Sequence, residues 1–130
     1  MSPRPTGRRR PATPSDARAR LADAEAFLEA ATAATNPDVI ATNAIHAAIA
    51  AADAICCVAL RERSADANHT AAAELLAQVD TRLSATLTRA LNRKTQAAYE
   101  TRDISATDAA ACVRQATTLL EAARTRVRPT

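Results

Sequence analysis

Alanine dominates this chain, and its abundance restricts the possible fold more than any other feature. Of the 130 residues, 36 are alanine, whereas glycine, phenylalanine, tyrosine and methionine occur once each and tryptophan is absent. Alanine has the highest helix propensity of all residues, and the lack of β-branched and aromatic runs disfavours strands. The sequence therefore predicts an all-α fold.

The alanine content also limits how such helices can pack. A buried alanine removes little apolar surface from water, so alanine-rich helices must approach closely and gain further burial by oligomerising. A chain of this length forms one domain. We therefore expect a single helical-bundle domain over residues 15–130 that assembles as a homodimer.

Apolar residues at helical spacing and capping residues predict five helices. Ser15, Asn36, Asp80 and Ser105 are suitable N-caps. The second helix is apolar nearly all round and should be central, with residues 61–63 as its solvated end. Short connections predict a four- to five-helix antiparallel, up-and-down bundle. The predicted helices cover about 15–34, 37–62, 68–79, 81–100 and 105–127.

Residues 1–14 have a composition unlike the rest of the chain. They contain four of the six prolines, the only glycine and four arginines. Such a segment cannot build a core alone, which predicts a disordered basic tail. Clustered arginines neutralise phosphates, so Arg8, Arg9 and Arg10 are candidate nucleic-acid contacts; the alternative is a merely solubilising tail.

Three cysteines, Cys56, Cys57 and Cys112, follow an N-terminus without a secretory signal, which favours a reducing cytoplasm. We expect buried free thiols, because no spacing suits a metal ion, and we expect no cofactor, because no glycine-rich phosphate loop occurs. The longest apolar run is interrupted by Asp53 and is too rich in alanine to span a membrane. Arginine outnumbers lysine sixteen to one, which with the alanine excess is typical of a G+C-rich bacterial genome.

Four segments from about residue 40 onward follow one another in a distinctive order: NAIHAAIAAADAICCVAL, NHTAAAELL, NRKTQAAYETRDIS and ATDAAACVRQATTLLEAARTRV. They form a small-residue helix, a helix opened by histidine, a helix with arginine then tyrosine before a polar loop, and a closing amphipathic helix. This order resembles the HEPN superfamily of small α-helical bundles. The resemblance implies a dimer that acts on RNA or with a cognate, nucleotidyltransferase-like protein in toxin–antitoxin or defence systems.

The resemblance also implies a test of catalysis. Catalytic HEPN members are similar to metal-independent ribonucleases that use an arginine and a histidine four to six residues downstream, across the dimer interface. Arg93 matches the arginine, but Ala98, Tyr99 and Glu100 follow where the histidine is expected. A tyrosine with a pKa near 10 is a poor general base at neutral pH. We therefore expect a non-catalytic protein.

The end of the fourth helix is the predicted contact surface for RNA or a protein partner. Two alternatives stay open: a metal-independent endoribonuclease using Arg93, Tyr99 and His69, and a structural helical adaptor whose arginine tail binds nucleic acid. A purely structural role for Arg93 would pair it with Glu100 or Asp103. The predicted binding residues are Arg89, Arg93, Lys94, Tyr99 and Arg102.

Overall fold

The computed structural model describes residues 7–127, apart from the side chain of Tyr99. It confirms an all-α bundle, to which it adds one small two-stranded sheet. The helices are α1 (Pro14–Ala33), α2 (Pro37–Leu60), α3 (His69–Ala77), α4 (Thr81–Tyr99) and α5 (Ala106–Arg126), and the strands are β1 (Arg9–Pro11) and β2 (Glu62–Ser64).

Side chains cap the helices largely where the sequence predicts. Asn36, Asp80 and Ser105 each accept hydrogen bonds from backbone amides in the first turn that follows. The prediction of Ser15 as the first cap is wrong, because Thr13 caps α1 and Pro14 occupies its first turn. Thr13 and Asp16 form a capping box: each side chain accepts from the other's backbone amide, at 3.1 and 2.8 Å.

Helix α2 is the central element of the bundle, as predicted, and it contacts every other helix. α5 runs parallel to α2, since Ile104 before α5 donates its amide to Asp38 in the first turn of α2, at 3.1 Å. α2 is long and apolar enough to cross a membrane, but 72% of its most apolar window is buried in the bundle, as in the core helix of a soluble protein. Val58, near the end of α2, is 41% exposed.

The alanines of α1 allow it to pack closely on α2. Ala17, Ala24 and Ala31 recur at every seventh residue and are buried, while Leu21 and Leu28 beside them are partly buried. Small residues at heptad spacing permit interaxial distances near the lower end of the usual range, about 8 Å. Larger side chains fill the rest of the core, and the largest fully buried ones are Ile55, Leu75, Leu76, Leu87, Leu119 and Cys112.

The segment that precedes α1 is ordered from residue 7 onward, so the prediction of a disordered tail is wrong for residues 7–14. β1 pairs antiparallel with β2, with Arg10 opposite Arg63. Backbone hydrogen bonds extend the pairing at both ends, from Ala12 to Arg61 and from Ala65 to Arg8, each at 2.9 Å. Residues 1–6 of the predicted tail lie outside the described residues.

Gly7 and Arg61 explain how the two strands join the bundle. A Cβ at Gly7 would lie 2.3 Å from the Cβ of Ala71, so only glycine allows the chain to approach α3 this closely. Arg61 adopts a left-handed conformation, with φ of 55°, that turns the chain from α2 into β2. Residues 62–64 are therefore a strand, and the predicted solvated helix end at 61–63 is wrong.

Candidate functional site

The structure divides the predicted contact surface among three places. Arg89 and Arg93 line a groove between α4 and α5, whereas Lys94 lines a different cleft with His46 and His69. Arg102 lies in the loop after α4 and pairs with Glu100, which lowers the pKa of that carboxyl and raises the pKa of Arg102. The side chain of Tyr99 lies outside the described residues.

We call the first of these places the α4–α5 groove. It encloses about 320 Å³, and residues at helical spacing on one face of each helix form its walls. Three of its residues are arginines and none of those that line it is acidic. Its polar lining consists of Thr86, Arg89 and Arg93 from α4 and Arg114, Gln115 and Thr118 from α5.

The arginines of the groove are poorly matched by carboxylates. Arg93 Nη1 donates to Asp108 Oδ1 at 2.8 Å, which replaces the predicted pairing with Glu100 or Asp103. Arg89 Nη2 donates to the Thr86 hydroxyl, at 3.3 Å. Among residues 7–127, neither Arg89 nor Arg114 forms an ion pair. The buried Arg93 Nε and Gln115 Oε1 likewise have no hydrogen-bonding partner there. The groove therefore carries an uncompensated positive charge.

The second place, which we call the histidine cleft, encloses about 290 Å³ between α2, α3 and α4. His46 packs edge-on against Phe27, with ring centroids 5.2 Å apart. Burial lowers the pKa of His46, and the nearby positive groups of His69, Lys94 and Arg20 lower it further. The pKa of His46 therefore lies below its ordinary value, which favours the neutral form of the imidazole.

Apart from these three places, several charged residues surround the carboxylate of Asp53 on the central helix. Asp53 is only 5% exposed, and its Oδ2 accepts from Arg20 Nε at 3.1 Å and lies 3.7 Å from Arg63 Nη1. Burial raises the pKa of Asp53, against the opposing effect of the two arginines. We call these three residues the Asp53 cluster. It joins α1, α2 and β2, and beside it lies a cleft of about 340 Å³ that Arg10 and His69 also line.

The three arginines predicted to contact nucleic acid from the tail lie in three different environments. Arg8 is exposed, and its backbone amide donates to Asp66 Oδ2 at 3.1 Å. Arg9 Nη1 pairs with Glu62 at 3.3 Å, whereas Arg10 lines the cleft beside the Asp53 cluster. These arginines therefore belong to the two-stranded sheet or lie directly beside it, and they do not extend from a tail.

The three cysteines are free and buried, as predicted. Burial raises the pKa of Cys56 to about 12 and of Cys57 to about 11, and it raises the pKa of Cys112 as well. Thiols with such pKa values stay protonated and unreactive at neutral pH. Within the described part of the chain, no group of three histidine, cysteine or acidic residues is placed to hold a metal ion.

Residues that the sequence did not single out complete the groove. Arg114 and Gln115 come from α5 and face Arg89 and Arg93 only because α4 and α5 pack side by side. The positions of polar residues on one helix do not indicate which helix packs opposite them. By contrast, Arg93 and His69, which the ribonuclease alternative would combine, line different clefts.

Comparisons with protein-family models, with curated proteins and with solved structures give no match to this chain. The resemblance to the HEPN superfamily therefore stays a prediction.

Proposed function

We propose that this chain is a helical-bundle protein that binds RNA through the α4–α5 groove. The observation that supports the proposal is the convergence of Arg89, Arg93 and Arg114 on one groove whose lining contains no carboxylate. Guanidinium groups bind phosphate oxygens in a two-pronged geometry, and each neutralised phosphate adds affinity by releasing counterions. A phosphate backbone supplies the negative charge that the groove lacks.

The neutral groups in the groove favour RNA as the nucleic acid. Proteins distinguish RNA from DNA by contacts to the 2′-hydroxyl, which both donates and accepts hydrogen bonds. The exposed hydroxyl of Thr118, which donates to the Arg114 carbonyl but can still accept, and the amide of Gln115 stand beside the arginines and can make such contacts. The family resemblance extends the proposal to a cytoplasmic bacterial homodimer, with a cognate, nucleotidyltransferase-like protein as a further partner in a toxin–antitoxin or defence system.

We propose binding without cleavage. General acid–base catalysis needs a group whose pKa lies near the working pH, and the groove offers only arginine, threonine, glutamine and alanine side chains. Within one chain His69 lines other clefts, so a centre that used Arg93 and His69 together would need a second protomer.

Filter binding of labelled single-stranded RNA at several salt concentrations tests the proposal. We expect Arg89→Gln and Arg114→Gln to weaken binding and to reduce the slope of log K against log salt by about 0.7 for each phosphate that is no longer neutralised. Arg82→Gln is the matched control, since Arg82 is exposed on the same helix but outside the groove. Equal affinities for the wild type and all three variants would exclude the groove as the RNA site.

Two further measurements separate the alternatives. Incubation of the protein with RNA in EDTA should give no cleavage; cleavage that Arg93→Gln abolishes would support the ribonuclease. Arg8→Gln and Arg10→Gln test the adaptor, and loss of all binding in these variants alone would favour it. Deleting residues 1–14 is unsuitable, because it removes β1 and the Thr13 cap as well as the arginines.

A further inference from the structure

A fourth cavity, which we call the junction cavity, lies where the start of α1 meets the ends of α2 and α5. It encloses about 270 Å³. Alanine, valine and proline side chains form much of its wall, among them Ala17, Val58 and Val127. Arg18, Arg61 and Arg126 also line it, and none of the described residues that line it is acidic. The cavity therefore combines an apolar surface with positive charge.

Two of these three guanidinium groups have no counter-charge among the residues that the structure describes. Arg126 lies 3.7 Å from Asp80 and donates to the Ala122 carbonyl at 3.2 Å. Arg18 and Arg61 form no ion pair and no side-chain hydrogen bond within residues 7–127. Arginine beside apolar surface is well suited to an anion, because guanidinium is weakly hydrated and presents several donors in a fixed plane.

The conformation of Arg61 supports a role for its side chain. A left-handed residue at the end of a helix is usually glycine or asparagine, since other side chains are strained there. Arg61 takes this conformation, with φ of 55°, and it lines the cavity. Residues in such conformations cluster at binding and active sites, so its position beside the cavity supports a site there.

The exposure of the apolar Val58 side chain to water is a second energetically unfavourable feature at the same cavity. Val58 is 41% exposed, although it follows the buried part of the central helix. Next to it, Cys57 also lines the cavity, and burial raises the pKa of its thiol to about 11. A protonated thiol adds to the apolar wall and offers no nucleophile, so a ligand here would bind without forming a covalent bond.

We propose that the junction cavity binds a short alkyl carboxylate, with its hydrocarbon chain against Val58, Ala17 and Val127 and its carboxylate between Arg18 and Arg61. The volume lies near the lower limit of about 300 Å³ for ligand pockets, which restricts the chain to a short one. The proposal is independent of RNA binding, because none of the residues that line the junction cavity lines the α4–α5 groove.

Calorimetric titration with octanoate, below its micelle concentration, tests the proposal, and octanol is the matched uncharged probe. We expect octanoate to bind more tightly than octanol. Arg18→Gln and Arg61→Asn should each weaken octanoate binding on the order of tenfold, the usual effect of losing one charge-assisted hydrogen bond. Arg61→Asn removes the guanidinium but keeps a residue that tolerates the left-handed conformation, so its fold should be intact by circular dichroism.

The control is again Arg82→Gln, which should bind octanoate as the wild type does. Displacement of anilinonaphthalene sulfonate offers a second readout with a low background, because the chain has no tryptophan and one tyrosine. No octanoate binding at millimolar concentration would overturn the proposal. So would equal affinities for octanoate and octanol, or unchanged affinity in both arginine variants.

Discussion

The Asp53 cluster and the α4–α5 groove both gather arginines against the bundle, but they differ in how those arginines are paired. The cluster holds a buried carboxylate between two arginines, whereas within residues 7–127 Arg93 is the only groove arginine that pairs with a carboxylate, that of Asp108. In the cluster, Arg20 and Arg63 face a buried aspartate, and the three residues join α1, α2 and β2. In the groove, Arg89 and Arg114 face each other's helix without an acid between them. The same residue type therefore serves packing in one region and is available to a ligand in the other.

This difference separates stability from binding in a way that can be measured. Removing one member of a buried ion pair leaves the other charge without compensation and destabilises the fold. Removing a charge from an unpaired group of like charges costs little stability and relieves repulsion. Substitutions in the cluster should therefore change unfolding, and those in the groove should change binding.

The largest expected effect is that of Arg20→Met in the cluster. It leaves Asp53 buried with Arg63, at 3.7 Å, as its remaining ion-pair partner among the described residues. We expect a loss of about 3 kcal/mol in the free energy of unfolding, measured by urea denaturation. Adding Asp53→Asn to this variant should recover much of the loss. Arg124→Met, which breaks an exposed pair with Glu25, is the control and should change stability by less than about 1 kcal/mol.

Gly7→Ala should have the next largest effect, since it tests whether the β1–β2 sheet depends on the close approach of residue 7 to α3. The new methyl group would lie 2.3 Å from the Cβ of Ala71, so the chain must shift. Overpacking of this kind typically costs about 1–3 kcal/mol. Thermal melting measures the loss, and Ala71→Gly in the same chain should restore part of it. An unchanged melting temperature for Gly7→Ala would contradict the packing of residue 7 on α3.

The pH dependence of stability should be the third effect in size. Burial raises the pKa of Asp53, so its contribution to stability is fully present below the unfolded pKa of about 3.9 and is lost as pH rises through the folded pKa. Asp53→Asn removes this loss. The variant should therefore gain stability relative to the wild type as pH rises from 4 to 7.

Asp66 provides the control of opposite sign. Hydrogen bonds from the Asn68 and Arg8 amides lower its pKa, so its contribution is present above the unfolded pKa and is lost as pH falls through the folded pKa. Asp66→Asn should therefore lose stability relative to the wild type as pH rises. Urea titrations at four pH values measure both trends, and two trends of the same sign would contradict the assignment.

The smallest expected effect on stability is that of Arg114→Gln in the groove. Because Arg114 has no acidic partner within the described range, we expect a change of less than about 0.5 kcal/mol in the free energy of unfolding. The same variant should bind RNA more weakly than the wild type. A loss of stability as large as that of Arg20→Met would show that the groove arginines, like those of the cluster, serve the fold.

The parts of this structure that depend on local signals could be predicted from the sequence. Asn36, Asp80 and Ser105 cap helices where expected, because a cap and its amides lie within one turn. The buried face is harder to predict where alanines occupy several faces of a helix: near the end of α4, Ala97 is buried whereas its neighbour Ala98 is exposed. A helix with alanine on several sides gives a weak signal for which side is inside.

The parts that depend on distant residues could not be predicted. Residues 9–11 have the composition of a disordered segment, and they become a strand only because residues 62–64 pair with them. Likewise, Arg89 and Arg93 could be found from their own helix, whereas Arg114 required the register between α4 and α5. Composition and periodicity contain no information about such registers.

The pairing of β1 with β2 also has a consequence for the order of folding. Arg9 and Glu62 are separated by 53 positions, so the strands can meet only after α1 and α2 have folded back on each other. Contacts between residues so far apart form late, because the loop between them must close first. During synthesis, residues 9–11 therefore cannot pair until residues 62–64 leave the ribosome, and we expect the sheet to form after α1 and α2 have packed together.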